Sequence, residues 1–373
     1  MKTILITGAA GFLGRNLVSH LKRNPEYSLL LYDIGSSGLE DIVPQADFIV
    51  HLAGVNRTER EADFWEGNRD LTQQIVSILR EKGLTTPIAL SSSIQAELDN
   101  PYGKSKLAAE TCLREYASQT GAKVYLFRLT NVFGKWCRPN YNSVVATFCH
   151  HIANDLPITV SDPQKELRLI HVDEVVRLFT SAMEGTLEPD SQGFCQGGKT
   201  YEVTLGALAE KIKSFRQICE TCVFPDFSDE FTRILYSVYL SYLSPQQMQY
   251  PLEMKADPRG WLFECLKSPS VGQIFISKTK PGITRGNHFH DVKVEKFIVL
   301  QGEAQIRLRA IDQDEVLTYA VSGEQIQVVE IPPGMTHSIT NVGETDLITL
   351  FWTPELFQPD NPDTIYLPVL PNS

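Results

Sequence analysis

Two groups of residues in this 373-residue chain have types and spacing suited to chemistry. The first lies in Tyr102-Gly-Lys-Ser-Lys106. A phenol and an ammonium four positions apart share one face of a helix. The ammonium favours the ionised phenol, so the pair can move a proton at an alcohol or carbonyl oxygen. The second group is His288-Phe-His290, then Glu295, with His337 in a later segment. Histidines two apart on a strand face the same side. Glu295 reaches that side if a turn or bulge intervenes. Three imidazoles and a carboxylate suit zinc, iron, nickel or manganese.

Each group needs a scaffold, and the chain is written in two styles. Up to about residue 130, short apolar runs (KTILIT, SLLLYD, DFIVHLAG, TPIALSSS, AKVYLFRL) alternate with helix-like stretches such as Asn68 to Lys82 and Tyr102 to Thr120. Such alternation predicts parallel strands with crossover helices, an α/β doubly wound sheet. The segment LSPQQMQYPLEMKADPRG has three prolines and little periodicity, and reads as a linker. Beyond it, GQIFISKT, KFIVLQGEAQIRLRA, EQIQVVEIPPG, HSITNVG and DLITLFW predict an all-β antiparallel barrel or jelly roll. The expected organisation is a nucleotide-binding domain at 1–243, a linker at 244–252 and a β-domain at 253–369, with PDNPDTIYLPVLPNS ending in a loose tail.

The first predicted strand runs into Gly8-Ala-Ala-Gly11-Phe-Leu-Gly14 and then an amphipathic helix. Glycines there let the backbone turn tightly and approach a pyrophosphate, to which the helix offers its N-terminal amides. Asp33 ends the second strand, where an acid would hold the ribose hydroxyls of NAD.

Composition excludes some classes. The net charge of -11 argues against a general nucleic-acid or anionic-membrane binder. No apolar run is long enough to span a bilayer and none reads as a signal peptide. The seven scattered cysteines suit a reducing, cytoplasmic setting, with Cys219 and Cys222 read as structural thiols.

Over residues 1 to about 240 the chain resembles the extended, sugar-nucleotide branch of the short-chain dehydrogenase/reductases. The residues that carry this are the G-x-x-G-x-x-G loop, His51-Leu-Ala-Gly54, Ser91-Ser-Ser93, the Y-x-x-x-K pair, Arg128-Leu-Thr-Asn131-Val-Phe-Gly134 and Ile170-His-Val-Asp-Glu174. The resemblance implies a Rossmann fold. It implies catalytic roles for Ser93, Tyr102 and Lys106, with Ser92 as an alternative serine because Ser93 and Tyr102 are only nine apart. It implies cofactor contacts at Gly8, Gly11, Phe12, Leu13, Gly14, Arg15, Asp33, Leu52, Ala53, Gly54, Tyr102 and Lys106, and substrate contacts at Asn131 and Arg168. Arg15 follows the last glycine, as in NADP-using relatives, so NADPH is favoured over NAD.

The second half resembles the cupin superfamily. Gly282-x5-His288-x-His290-x4-Glu295-x6-Gly302 fits its first motif, and Pro332-Pro-Gly334-x2-His337-x3-Asn341 its second, with Ile326 where a leading glycine is usual. This implies one divalent metal, zinc first, on His288, His290, Glu295 and His337. Residues 257 to 302 also resemble the 3,5-epimerases of the dehydrorhamnose type. That implies His288 as a proton-abstracting base and Lys296 as an enolate partner, so His288 is either ligand or base. Arg285 and Lys296 are candidate charge partners for an enolate or diphosphate.

Reductase followed by cupin resembles the bifunctional capsular polysaccharide biosynthesis enzymes of the staphylococcal UDP-N-acetyl-L-fucosamine pathway. The resemblance implies C3 epimerisation of a UDP-4-keto-6-deoxy-N-acetylhexosamine by the cupin, then NADPH reduction at C4 to UDP-N-acetyl-6-deoxy-L-talosamine, in a homodimer. Two competitors differ in class. In one, the cupin is a non-catalytic dimerisation or binding module. In the other, the chain is a nucleotide-sensing regulator, for which a Tyr/Lys acid–base pair has no use.

Overall fold

The computed structural model describes residues 1–358, 360 and 362–370. They divide into two compact units: Met1–Ile212 with Ser237–Leu243, and Lys213–Tyr236 with the chain from Ser244 onward. The segment Lys213–Tyr236, which a boundary at 243 assigns to the nucleotide-binding domain, groups with the second unit.

The first unit is built on five parallel strands, β1 (Lys2–Thr7), β2 (Tyr27–Tyr32), β3 (Phe48–His51), β4 (Ile88–Ser93) and β5 (Val124–Leu129), in the order β2-β1-β3-β4-β5. The apolar runs read as strands all form them. Both faces of the sheet are covered, which is why the runs are apolar at nearly every position rather than at alternate ones. Leu5, Ile49, Leu90 and Leu126 pack with residues of the helices Leu71–Glu81 and Pro101–Thr120. Ile4, Ile6, Val50 and Phe127 pack with residues of Phe12–Leu21 and Val172–Glu184. The order reverses between β1 and β3, and such a switch point opens a crevice at the strands' carboxyl ends. A small sheet of β6 (Asn131–Phe133), β7 (Glu166–His171) and β8 (Thr200–Thr204) lies in the same unit.

The second unit is an antiparallel jelly roll of the cupin type. One sheet has the order β16-β13-β18-β11-β10-β9. Its strands are β9 (Met254–Asp257), β10 (Gly260–Ser268), β11 (Gly272–Thr279), β13 (Glu295–Gln301), β16 (Val328–Ile331) and β18 (Leu347–Thr353). The other has the order β15-β14-β17-β12-β19. It consists of β12 (Thr284–Phe289), β14 (Glu303–Ala310), β15 (Val316–Ser322), β17 (Met335–Asn341) and β19 (Ile365–Tyr366). Phe297, Ile306, Ile339 and Phe351 fill the space between the sheets. The expected loose tail is corrected over much of its length. β19 pairs with β12, and Arg309 Nε donates to the carbonyl of Val369 at 2.8 Å. Pro359, Asn361 and residues 371–373 of that segment lie outside the described residues.

Candidate functional sites

At the switch point a cavity of about 820 Å³ opens. Gly8, Gly11, Phe12, Leu13, Gly14 and Arg15 line it from the loop between β1 and the first helix, and Leu52 and Gly54 from the end of β3. The glycines are sterically required. Gly8 has φ +70°, and a Cβ there would stand 2.6 Å from Ala53 N; one at Gly14 would stand 2.1 Å from Gly8 O. Two expected cofactor residues lie outside the wall. Ala53 is buried and donates its N–H to Thr7 Oγ1, and Asp33 accepts the N–H of Ala10 at 3.0 Å.

Ser93, Tyr102, Lys106 and Asn131 line the same cavity. Asn100 caps the helix that carries Tyr102 and Lys106, accepting the N–H of Gly103, and Pro101 occupies its first turn. The two serines separate cleanly. Ser92 Oγ donates to the fully buried Glu110 at 2.5 Å, whereas the Ser93 hydroxyl accepts the N–H of Gln95 and acts on the Tyr102 phenol. Burial raises the phenol pKa of Tyr102, and the Ser93 bond draws it part of the way back. The expectation that Lys106 depresses it is not met. Lys106 Nζ donates instead to the carbonyl of Ser91 at 3.0 Å, and burial lowers its own pKa to about 8 against the opposing pull of Glu110. Arg168 is not in the wall: its guanidinium donates to Thr200 Oγ1.

The sequence reading missed Asn68. It is buried in a π-turn, Trp65–Asp70, where its side chain accepts the N–H of Val55 and donates to Val55 O and Ser105 Oγ. It ties the end of β3 to the Tyr102 helix across Gly54, where a Cβ would stand 2.5 Å from Asn68 Oδ1 and 3.1 Å from Lys106 Nζ. Also missed were Arg57 and Tyr141. Arg57 Nη1 donates to Tyr141 O at 2.5 Å, and the Tyr141 hydroxyl donates to Arg57 O at 3.3 Å. No local pattern marks these residues, because each acts on a segment distant in sequence.

In the jelly roll, His288, His290, Glu295 and His337 converge, with one ligand-type atom from each all within 4.8 Å of one another. His288 and His337 face each other across β12 and β17. A bulge between Gly286 and His288, with Asn287 at φ 61°, resets the alternation of β12. Arg285 is therefore on the inner side with His288, where it donates to Thr279 Oγ1 at 3.0 Å. His290 Nε2 and His337 Nε2 each stand 3.4 Å from an oxygen of Glu295, and both nitrogens are buried without a hydrogen-bond partner. Their Nδ1 atoms are engaged, His290 by the carbonyl of Asp363 and His337 by that of Met335. With Nδ1 engaged, each ring turns its Nε2 toward the centre of the cluster. Burial, and then His337, lower the His288 pKa to about 4, so this imidazole is neutral near pH 7. Burial pushes the Glu295 carboxyl pKa up, but His290, His337 and Lys293 together hold it well below the usual carboxylate range. Orphaned buried nitrogens around an ionised carboxylate are the donor set of a divalent cation, and the residues fit one.

Lys296 does not join this cluster. It follows Glu295 on β13, so its side chain leaves the other face of the strand, where Nζ pairs with Glu330 at 2.7 Å above the Trp352 ring. Lys293, from the turn before β13, reaches Glu295 Oε1 at 2.8 Å instead.

Residues 4–193 match the NAD dependent epimerase/dehydratase family, and residues 255–365 match the polysaccharide biosynthesis C-terminal domain. The chain is 42% identical to UDP-2-acetamido-2,6-beta-L-arabino-hexul-4-ose reductase of Pseudomonas aeruginosa, over 97% of each chain. Among solved structures it superposes on the capsular polysaccharide assembling protein CapF of Staphylococcus aureus with TM-score 0.90. That match is 44% identical and covers 98% of this chain and 100% of the other. CapF has also been solved with the inhibitor 3-isopropenyl-tropolone; that match has TM-score 0.87, 40% identity, and coverage of 98% and 100%. Matching families over both halves, and relatives of this identity over nearly the whole length, place it: the chain belongs to the NAD dependent epimerase/dehydratase family, in its extended short-chain dehydrogenase/reductase form fused to a polysaccharide biosynthesis C-terminal domain.

Proposed function

We propose that the protein is a bifunctional sugar-nucleotide enzyme of capsular polysaccharide synthesis. The cupin unit epimerises C3 of a UDP-4-keto-6-deoxy-N-acetylhexosamine. The reductase unit then reduces the C4 ketone with NADPH, giving UDP-N-acetyl-6-deoxy-L-talosamine. One observation carries this reading: a Tyr102/Lys106/Ser93 constellation and a four-ligand His/Glu cluster occur on one chain. The name of the Pseudomonas relative, a 4-ulose reductase, supports the second step.

In the reductase unit, Tyr102 gives its proton to the C4 oxygen as hydride arrives at carbon, and Ser93 holds that oxygen. Lys106, whose ammonium donates to Ser91 O, would help hold a bound nicotinamide cofactor and would supply positive charge near the phenol. Asn131 is the proposed substrate contact. NADPH is the proposed reductant, with Arg15 in the cavity wall as the partner for its extra phosphate.

In the cupin, His288, His290, Glu295 and His337 would hold a divalent metal, zinc first. When bound, the metal would supply Lewis-acid stabilisation of negative charge on the substrate oxygen. A tropolone presents two adjacent oxygens to a cation, and the tropolone inhibitor of CapF supports a metal here. Lys293, rather than Lys296, brings a second positive charge to the cluster, and Arg285 lines the barrel beside it. The unit also offers a surface for self-association. β15 is an edge strand whose Leu317 and Tyr319 are 41% and 44% exposed, and a homodimer is the proposed assembly.

A reductase-only reading, with a non-catalytic cupin, is favoured by one observation: the Pseudomonas relative is named for reduction alone. NMR in D2O with the 4-keto substrate separates the two. Wild type is expected to place deuterium at C3 without NADPH and to reduce the sugar once NADPH is added. The His290→Ala, His337→Ala double variant is expected to lose the exchange. Oxidation of NADPH without any deuterium at C3 would overturn the epimerase half.

A further inference from the structure

The C-terminal segment that the sequence suggested was loose crosses every part of the cupin ligand set. Asp363 is central. Its carboxylate accepts the backbone N–H groups of Asp291, Val292 and Lys293 at 2.8, 2.9 and 2.8 Å. These three residues form the turn between His290 and Glu295. The backbone carbonyl of Asp363 accepts His290 Nδ1–H. Two residues on, β19 pairs with β12, Tyr366 standing opposite His288. Next, the carbonyl of Leu367 accepts the hydroxyl of Thr336, the neighbour of His337. Leu367 N–H and Val369 N–H then bond the backbone and the side chain of the bulge residue Asn287. Arg309 fastens the far end through the carbonyls of Val369 and Pro368.

We infer that the segment Asp363–Val369 is a positioning element of the metal centre, with Asp363 its principal residue. The inference rests on the metal reading of the cluster proposed above. The physical reason is that a ligand set drawn from three strands has no rigidity of its own. His288, His290 and His337 come from β12, the turn after it and β17, and the segment bonds each of these or its immediate neighbour. The hydrogen bond to His290 also fixes the tautomer, leaving Nε2 as the lone pair that faces Glu295. Three backbone amides converging on one carboxylate hold the turn between His290 and Glu295 in a single arrangement.

The test compares full-length wild type with Asp363→Ala, Asp363→Asn and Thr336→Val. Affinity for zinc is read by competition with a chromophoric chelator, and the cobalt-loaded protein by its visible spectrum. Folding of the metal-free proteins is followed separately by thermal unfolding. Asp363→Ala is expected to lose about 10–100-fold in zinc affinity and to alter the cobalt spectrum, as losses of outer-shell partners do. Asp363→Asn keeps one acceptor oxygen and should recover part of the affinity. Thr336→Val, nearly isosteric, should show a smaller loss. Folded Asp363→Ala with wild-type zinc affinity and an unchanged cobalt spectrum would overturn the inference. Failure of wild type itself to bind zinc or cobalt would sink the metal reading, and this inference with it.

Discussion

Lys293 Nζ lies 2.8 Å from Glu295 Oε1, within the ligand cluster, while Lys296, one residue beyond Glu295, points away from it. The two lysines therefore make a controlled pair. Lys293→Met is expected to reduce C3 deuterium exchange by about 10²-fold or more, the usual cost of removing one preorganised charge from a developing anion. Lys296→Met should leave exchange within about threefold of wild type. Equal losses in both variants would refute the assignment.

The two roles proposed for His288 are ligand and base, and its crowding against His337, with ring centroids 4.5 Å apart, favours ligand. His288→Gln is then expected to weaken zinc binding by more than about 100-fold, beyond the loss of an outer-shell contact. Full zinc occupancy in that variant, with exchange abolished, would identify His288 as the base instead.

Glu110 is fully buried one turn beyond Lys106, paired through two bonds with Arg128. Removing Arg128 leaves that buried carboxylate its bond from Ser92 but no ion-pair partner. Arg128→Met should cost about 3–5 kcal/mol in the unfolding of the first unit. Glu97→Gln, which breaks the exposed half of the same network, should cost no more than about 1 kcal/mol. Chemical denaturation curves of the two variants provide the comparison.

His51 sits neutral between Thr7 and Thr72, and burial, helped by the charge of Lys106, lowers its pKa to about 3. Its unfolded pKa is about 6.5. Between these values the unfolded chain binds a proton that the folded protein refuses, so stability falls as pH falls below about 6.5. From pH 7 to pH 5 this group alone should cost about 2 kcal/mol. His51→Gln should flatten that part of the profile, as read from unfolding free energies at the two pH values. An unchanged slope would mean that another group dominates.

Much of the scaffold was legible because its signals are local. A strand followed by G-x-x-G-x-x-G can turn only one way, and the Tyr102/Lys106 pair shares a helix face by spacing alone. His288 and His290 faced one side by the period of a strand, and the structure brings Glu295 and His337 to them. The change of style near residue 243 separated the α/β from the β architecture, because fully buried parallel strands and short strands with turns are patterned differently.

Tertiary structure decided the rest. The bulge at Asn287 put Arg285 beside His288; Asn tolerates the left-handed region, but the pairing of β12 with β17 decided where the extra residue falls. The turn before β13, not the strand itself, chose Lys293 over Lys296. Asn68 gained its place from a π-turn packed on Gly54 and Lys106, and Asp33 was drawn to the amide of Ala10. The C-terminal segment looked loose because it has almost no periodicity. Its order comes from partners some seventy residues away, the distance from His290 to Asp363 being 73 positions. Sequence by itself determined the elements and the chemistry that they could carry, since both follow from neighbours along the chain. Which charge faces the ligand set, and what holds that set rigid, depended on contacts that exist only once the two sheets have closed.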